Sequence, residues 1–260
     1  MKIGVIQPRP HTTIEGPPGG ATLRHGILDI KGTHDVIIRN LRFRDLWEND
    51  PTGEYDQKGW DYIRITNSGK IRSHHIWVDH CDFGKVYDGQ LDIVHGSDLV
   101  TVSWCRFGGE PGHPQKKGLL FGHSSSASAV AADQGFLNVT IEHCWFHDMG
   151  SRCPRLRTGN VHFYNNLVES VDSATLSVNG GATWVDHCIY RNCRVATTWS
   201  HADDSIEKNR AGRIKISASL RQPEDKGSPT DFTDSTGPFA FNKPAAWIWE
   251  DLGKPPYLVR

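Results

Sequence analysis

The amino-acid sequence predicts an all-β fold of the solenoid kind, and three observations carry that prediction. Turn formers are abundant, with 26 Gly and 14 Pro in 260 residues, and 9 Trp stand against only 2 Met. That composition suits short strands joined by many turns rather than long helices. A short β-branched and aromatic run recurs: WVDHCDF (77–83), TVSWCRF (101–107), TIEHCWF (140–146), FYNNLV (163–168) and WVDHCIY (184–190). Aligned, these runs put Cys81, Cys105, Cys144, Asn166 and Cys188 in one column, at spacings of 24, 39, 22 and 22 residues. A period of about 22 residues with insertions, each copy closing its strand on a small polar side chain, reads as one coil per repeat. Leucine-rich repeats share the period, but their L-x-x-L-x-L signature is missing.

Taken in order, residues 1–35 form a Pro/Gly-rich lead-in containing Thr12-Thr13-Ile14-Glu15-Gly16. Coils are expected from about 36 to 200, with VIIRNLRF (36–43) as an early copy that puts Asn40 in the column, to within one residue. Longer loops are expected at 44–60 and 108–136. The segment 201–260 shows no repeat and is expected to be covering loops and tail, because exposed coil edges need protection. One core can serve a chain of this length, so 1–260 is expected to be a single domain. Side chains in the column would stack about 4.8 Å apart as a ladder inside the turn. Cβ atoms held parallel at that distance fit a disulfide poorly, so buried thiols are expected. No C-x-x-C pair and no Cys/His cluster has zinc spacing. His74-His75, His80 and His187 fall at strand ends without an H-x-x-x-H helix and are expected to be satisfied turn residues.

With 29 Lys+Arg against 30 Asp+Glu the net charge is -1, which provides no overall field for nucleic acid or an anionic membrane. No run of eighteen apolar residues exists, and the first residues lack the apolar stretch and cleavage site of a signal peptide.

The repeat also serves as a ruler. Asp88 and Asp92 lie 7 and 11 residues after Cys81, Lys117 lies 12 after Cys105, and Arg152 and Arg157 lie 8 and 13 after Cys144. Three coils therefore present two carboxylates, a lysine and two arginines on one face. Asp61, in Gly59-Trp60-Asp61-Tyr62-Ile63, opens the strand of the preceding coil and can join the acids. Converging carboxylates repel one another, and a hard divalent cation with oxygen ligands, calcium above all, relieves that repulsion. On spacing alone, Asp88 and Asp92 also fit ordinary surface acids, Ser151-Arg152-Cys153-Pro154-Arg155-Leu156-Arg157 a solvated or ion-paired loop, and Gln115-Lys116-Lys117-Gly118 a turn. Acids beside an Arg/Lys patch point to a ligand that is itself a polyanion carrying carboxylates, such as a polyuronate.

Several motifs, in order, carry a resemblance: DVIIRNLRF (35–43), WDYIRI (60–65), IWVDHCDF (76–83), YDGQLDIVHGSDLVTVSW (87–104), KGLLFG (117–122) and SRCPRLRTGNVHFYNN (151–166). Over residues 12–200 the chain resembles the pectate lyases of polysaccharide lyase family 1. The resemblance implies a right-handed parallel β-helix with three parallel sheets. It implies calcium-dependent cleavage of α-1,4-linked polygalacturonate by β-elimination, giving 4,5-unsaturated oligogalacturonates. Carried over by motif, Asp61, Asp88 and Asp92 look like calcium ligands, Lys117 and Arg157, with Arg155 beside them, like substrate-carboxylate binders, and Arg152 like the catalytic base. A free guanidinium is protonated at ordinary pH, so this role implies an alkaline optimum. Pectin as substrate implies an extracellular or periplasmic home, and a capped solenoid a monomer. Cys in place of the common ladder Asn, His95 where a basic residue is frequent, and the short segment before Thr12 depart from the family.

Three alternatives differ in class. A calcium-independent pectin lyase acts on methyl esters and needs no carboxylate set, so Asp61, Asp88 and Asp92 together argue against it. A polygalacturonase would use clustered acids and an R-I-K motif. Asp203-Asp204 and Arg213-Ile214-Lys215 match these, but they fall in the non-repeating segment, and the order of the paired acids and Gly122-His123 is reversed from that family. A non-catalytic pectin-binding β-helix would not need Arg152 and Lys117.

Overall fold

The computed structural model describes residues 3–47, 59–110, 112–199 and 211–221. Strands Thr12–Glu15, His34–Arg39, His74–Asp79, Asp98–Ser103, Asn138–Glu142, Asn160–Tyr164, Ala182–Asp186 and Arg213–Ser217 stack in that order as one eight-stranded parallel sheet. A second face runs through Gly4–Ile6, Gly26–Lys31, Ile63–Thr66, Leu91–Ile93, Leu119–Phe121 and Arg155–Leu156. The third runs through Ala21–Arg24, Leu41–Arg44, Asp82–Phe83, Arg106–Gly108 and Trp145–Ser151. Leu167–Ser177 is long enough, at 11 residues, to pair with Trp145–Ser151 at one end and Arg155–Leu156 at the other, which merges these two faces into one sheet. The architecture is a parallel β-helix.

Alternation within each strand explains the stack. In the eight-stranded sheet, Val36, Ile76, Val100, Val139 and Val161 are in register and fully buried. The third face sends in Phe43, Phe83, Phe107 and Phe146, whose near-parallel rings have centroids 4.7, 4.6 and 5.0 Å apart. Burying each such side chain is worth about 1.5–3 kcal/mol, and one coil cannot do it without its neighbours.

The corner after the eight-stranded sheet is built by residues with left-handed backbone: Asn40, His80, Trp104, His143, Asn165 and His187 have φ between 49° and 56°. Asn and His tolerate that region better than most residues, which accounts for the Asn/His before each ladder position; Trp104 is the exception. The ladder follows one residue later. The amides of Cys81 and Cys105 each donate to the next coil's sulfur, Cys105 Sγ and Cys144 Sγ, at 3.4 Å. Cys144 N donates to Asn166 Oδ1 at 2.8 Å, and Asn166 N to Cys188 Sγ at 3.4 Å. All six cysteines are buried free thiols.

Three expectations are corrected. Arg39 pairs with Asp79 and Arg42 with Asp82, so Leu41, not Asn40, shares the column with Cys81, and Asn40 holds the corner. The coils reach further than 36–200: they start at Gly4–Ile6, and Arg213–Ser217 pairs with Ala182–Asp186 inside the segment read as tail. There Ser219 takes the ladder position, its Oγ accepting from Cys188 N at 3.0 Å, and a serine 31 residues on breaks the Cys/Asn pattern. Segment 108–136 is not one loop, since it contains strands Gln115–Lys117 and Leu119–Phe121 and a helix, Ala127–Asp133, capped by Ser126. Residues 48–58 of the expected loop, and 201–210 and 222–260 of the expected tail with Asp203-Asp204, lie outside the described residues.

Candidate active site

Ile63–Thr66, Leu91–Ile93, Leu119–Phe121 and Arg155–Leu156 lie side by side, and their register sets Arg64 against Asp92 and Asp92 against Leu120. Outward residues of these coils and of the turns before them wall a cleft of about 640 Å³. Asp61, Asp88, Asp92, Lys117, Arg152 and Arg157 all line it, as the repeat predicts. Arg155 is not among the lining residues, although it stands in register with Leu120, which is.

Asp61 is only 7% exposed, and its Oδ1 accepts from Gly89 N at 2.9 Å. Asp92 Oδ1 is buried with no hydrogen-bond partner. A Cβ on Gly89 would stand 2.7 Å from Asp92 Oδ1 and 3.1 Å from Asp61 Oδ1, so both oxygens close over the same glycine. Burial, followed by the charge of Asp88, pushes Asp61 up to about 7. Burial, followed by the charge of Asp61, pushes Asp92 well above the usual carboxylate range. Two oxygens converging in a partly dry wall, one of them without a donor, fit a hard cation.

Asp88 is placed differently. Its Oδ1 accepts from Lys117 Nζ at 3.0 Å, with Arg152 Nη1 at 4.0 Å. Asp61 and Asp92 converge as expected, while the third carboxylate is drawn off by the lysine ammonium beside it. Among the described residues, the ligand atoms that gather within 4.8 Å of one another in a set of three belong elsewhere, to His11, His34 and Asp35.

The cationic side is held by groups the sequence reading missed. Buried Gln115 accepts from Val86 N at 2.9 Å and donates to Asp88 O at 2.8 Å and Lys117 O at 2.7 Å, tying acid and lysine together. Gln90, also buried, donates to the carbonyls of Phe83, Gly84 and Gly108 and fixes the turn that carries Asp88. Gly118 allows a close approach, since a Cβ there would meet Arg152 O at 2.4 Å. Arg152 has φ 70°, and its carbonyl accepts from Leu119 N at 2.7 Å. Arg157 Nη1 donates to Gly122 O at 3.2 Å and His123 O at 3.1 Å, which fixes its guanidinium at the rim. Lys31, Arg64, His95 and His123 complete the wall. The glycines of Asp88-Gly89-Gln90 and Lys117-Gly118-Leu119 were the visible signal; the glutamine contacts join separate coils and leave none.

Parallel coils with a charged cleft on one face define a parallel β-helix protein. Comparison with known proteins takes this one step further. The pectate lyase family profile matches residues 5–185, well over half of the chain, and the chain belongs to that family. It is 33% identical over 198 residues to pectate lyase B of Paenibacillus amylolyticus, covering 59% of this chain and 48% of the relative. It is 41% identical over 144 residues to the pectate trisaccharide-lyase of Thermotoga maritima, covering 55% of this chain and 35% of the relative. The matches thus span about a third to a half of these curated relatives. Among solved structures, a pectate lyase from Paenibacillus superposes with a TM-score of 0.72 at 24% identity, covering 86% of this chain and 64% of that one. Pectate lyase C from Erwinia chrysanthemi, solved with calcium, superposes with a TM-score of 0.63 at 20% identity, covering 97% and 73%.

Proposed function

We propose that the cleft binds polygalacturonate and cleaves its α-1,4 linkages by calcium-dependent β-elimination, releasing 4,5-unsaturated oligogalacturonates. The observation that carries this reading is the pair of Asp61 and Asp92 oxygens closing over Gly89, opposite Lys117, Arg152 and Arg157 in one cleft. The names of the relatives and the calcium in one structural neighbour support it.

Asp61 and Asp92, with Asp88, are the residues that would hold calcium. An ion held there would supply positive charge that offsets the protein acids and stabilises negative charge on the substrate carboxylate. Lys117 and Arg157 bind substrate carboxylates and stabilise the charge that develops as the neighbouring proton leaves. Arg152, deprotonated, takes the proton from carbon 5 on a guanidine nitrogen. The C–H electron pair forms the double bond between carbons 4 and 5, and the bond from carbon 4 to the glycosidic oxygen breaks. That oxygen leaves with the electron pair and is protonated by solvent. Asp88, beside both Lys117 and Arg152, keeps the two cations in place in the resting cleft. The same reading takes the chain to act as one domain and as a monomer, outside the cell or in the periplasm. Among the described residues no helix is long and apolar enough to cross a membrane.

The test is polygalacturonate incubated with the protein at alkaline pH, followed by ultraviolet absorbance and by reducing ends. Absorbance of the unsaturated product rising in step with new reducing ends is expected. New reducing ends without that chromophore would mean hydrolysis and would overturn the mechanism and the role of Arg152.

A further inference from the structure

Off the cleft wall, the corner where the eight-stranded sheet begins gathers imidazoles from three successive coils. His11 immediately precedes the edge strand Thr12–Glu15, His34 and Asp35 belong to the next strand, and His74 and His75 to the third. Asp35 Oδ2 stands 3.1 Å from His11 Nδ1 and 2.9 Å from His34 Nδ1. The ligand atoms of these three residues all lie within 4.8 Å of one another. His74 is in register with His34 and stacks on it, with centroids 5.1 Å apart and planes 4° off parallel. His75 Nδ1 is 2.6 Å from His74 Nδ1. His11, Asp35 and His75 all take left-handed backbone, φ 59°, 53° and 55°, so the corner repeats one strained conformation where the side chains meet.

We propose that His11, His34 and Asp35, with solvent completing the coordination, form a binding site for a divalent transition-metal ion of the zinc class. The donor set selects the metal. Two imidazole nitrogens and one carboxylate oxygen suit zinc, cobalt or nickel, whereas calcium and magnesium take oxygen ligands. The spacing agrees: bonds of about 2.0–2.2 Å to a four- or six-coordinate ion set neighbouring donors roughly 2.9–3.4 Å apart, and the nitrogen–oxygen distances here are 2.9 and 3.1 Å. The side chain of His11 is 72% exposed and His34 and Asp35 are half-buried, so the site is open to an incoming ion. Such an ion would clip the segment entering Thr12–Glu15 to the next coil. The site is independent of the cleft chemistry.

The test uses protein without a histidine tag, stripped by chelator. Zinc binding is followed by calorimetry and by melting temperature, and cobalt binding by its visible d–d absorption. One equivalent of zinc is expected to bind and raise the melting temperature, and cobalt to give the bands of a low-symmetry nitrogen/oxygen site. His11→Gln and His34→Gln are expected to weaken binding at least about tenfold and to abolish the rise. Asp61→Asn, which alters the cleft, should leave zinc binding unchanged. His11→Gln changes an exposed side chain, and its melting without metal checks that the fold is kept. No zinc uptake by the wild type, or equal uptake by wild type and His11→Gln, would overturn the proposal and leave Asp35 as a plain hydrogen-bond acceptor for two imidazoles.

Discussion

Replacing Asp61 by Asn should stabilise the calcium-free protein, and the gain should grow with pH in a defined window. In the folded chain, burial and the nearby Asp88 push Asp61 up to about 7, against an ordinary value of 3.8. Between those values the folded state keeps a proton that the unfolded state has released. Stability therefore falls as pH rises through that window and is level above it. At about 1.4 kcal/mol per pH unit, the full window is worth on the order of 4 kcal/mol. Asn cannot ionise, and its Oδ1 still accepts from Gly89 N. The variant should match the wild type near pH 4 and exceed it by about 2–4 kcal/mol near pH 8, or roughly 5–15 °C in melting temperature. Urea unfolding of both proteins in chelator, across that range, measures the difference. Burial also holds the His162 imidazole below its ordinary value, which costs stability as pH falls, but this is common to both proteins and cancels. On the proposed calcium role, calcium at alkaline pH should reverse the order, because a site with the Asp61 carboxylate would bind the ion more tightly than one with an uncharged amide. A variant no more stable than wild type at pH 8 without calcium would refute the claim that Asp61 carries unrelieved charge.

Three further outcomes follow from the cleft. Arg152→Lys keeps a positive charge near Asp88 but loses the guanidine, and should lower kcat about 10²–10⁴-fold with an unchanged melting temperature; a pH–rate profile of the wild type peaking below neutrality would contradict the same role. Gly89→Ala puts a methyl group against the Asp92 and Asp61 oxygens and should raise the calcium needed for half-maximal turnover about 10–100-fold, read from calcium titrations of the rate. Gln115→Leu strips three hydrogen bonds from buried backbone and should cost about 2–4 kcal/mol in urea unfolding, with a fall in turnover as Asp88 and Lys117 lose their common anchor.

What was legible in the sequence is what repeats. Cys81, Cys105, Cys144, Asn166 and Cys188 occupy one chemical position in five coils, and that column, used as a ruler, placed Asp88, Asp92, Lys117, Arg152 and Arg157 in one cleft. Where a coil changes its ladder residue the signal fades: Leu41 and Ser219 do the same work with different atoms, so the coil around Asn40 was offset by one and that at Arg213–Ser217 was read as tail. Arg155 rests on the motif and not on the column; it stands in register with cleft-lining Leu120 without lining the cleft itself. Gln90 and Gln115 act partly through contacts with other coils, to Gly108 O, Val86 N and Asp88 O, and the meeting of His11 with His34 and Asp35 joins separate coils. His74 and His75 have ring partners, as strand-end residues are expected to; that His34 of the preceding coil is one of them is invisible in linear spacing.

The most direct test of the calcium-dependent elimination proposed for this cleft is the rate of unsaturated-product formation from polygalacturonate as calcium is removed and restored, in wild type and Asp92→Asn. Turnover should vanish in chelator and return with added calcium in the wild type, while Asp92→Asn should need far more calcium for the same rate. Turnover that is indifferent to chelator, or an identical calcium dependence in the two proteins, would contradict the account.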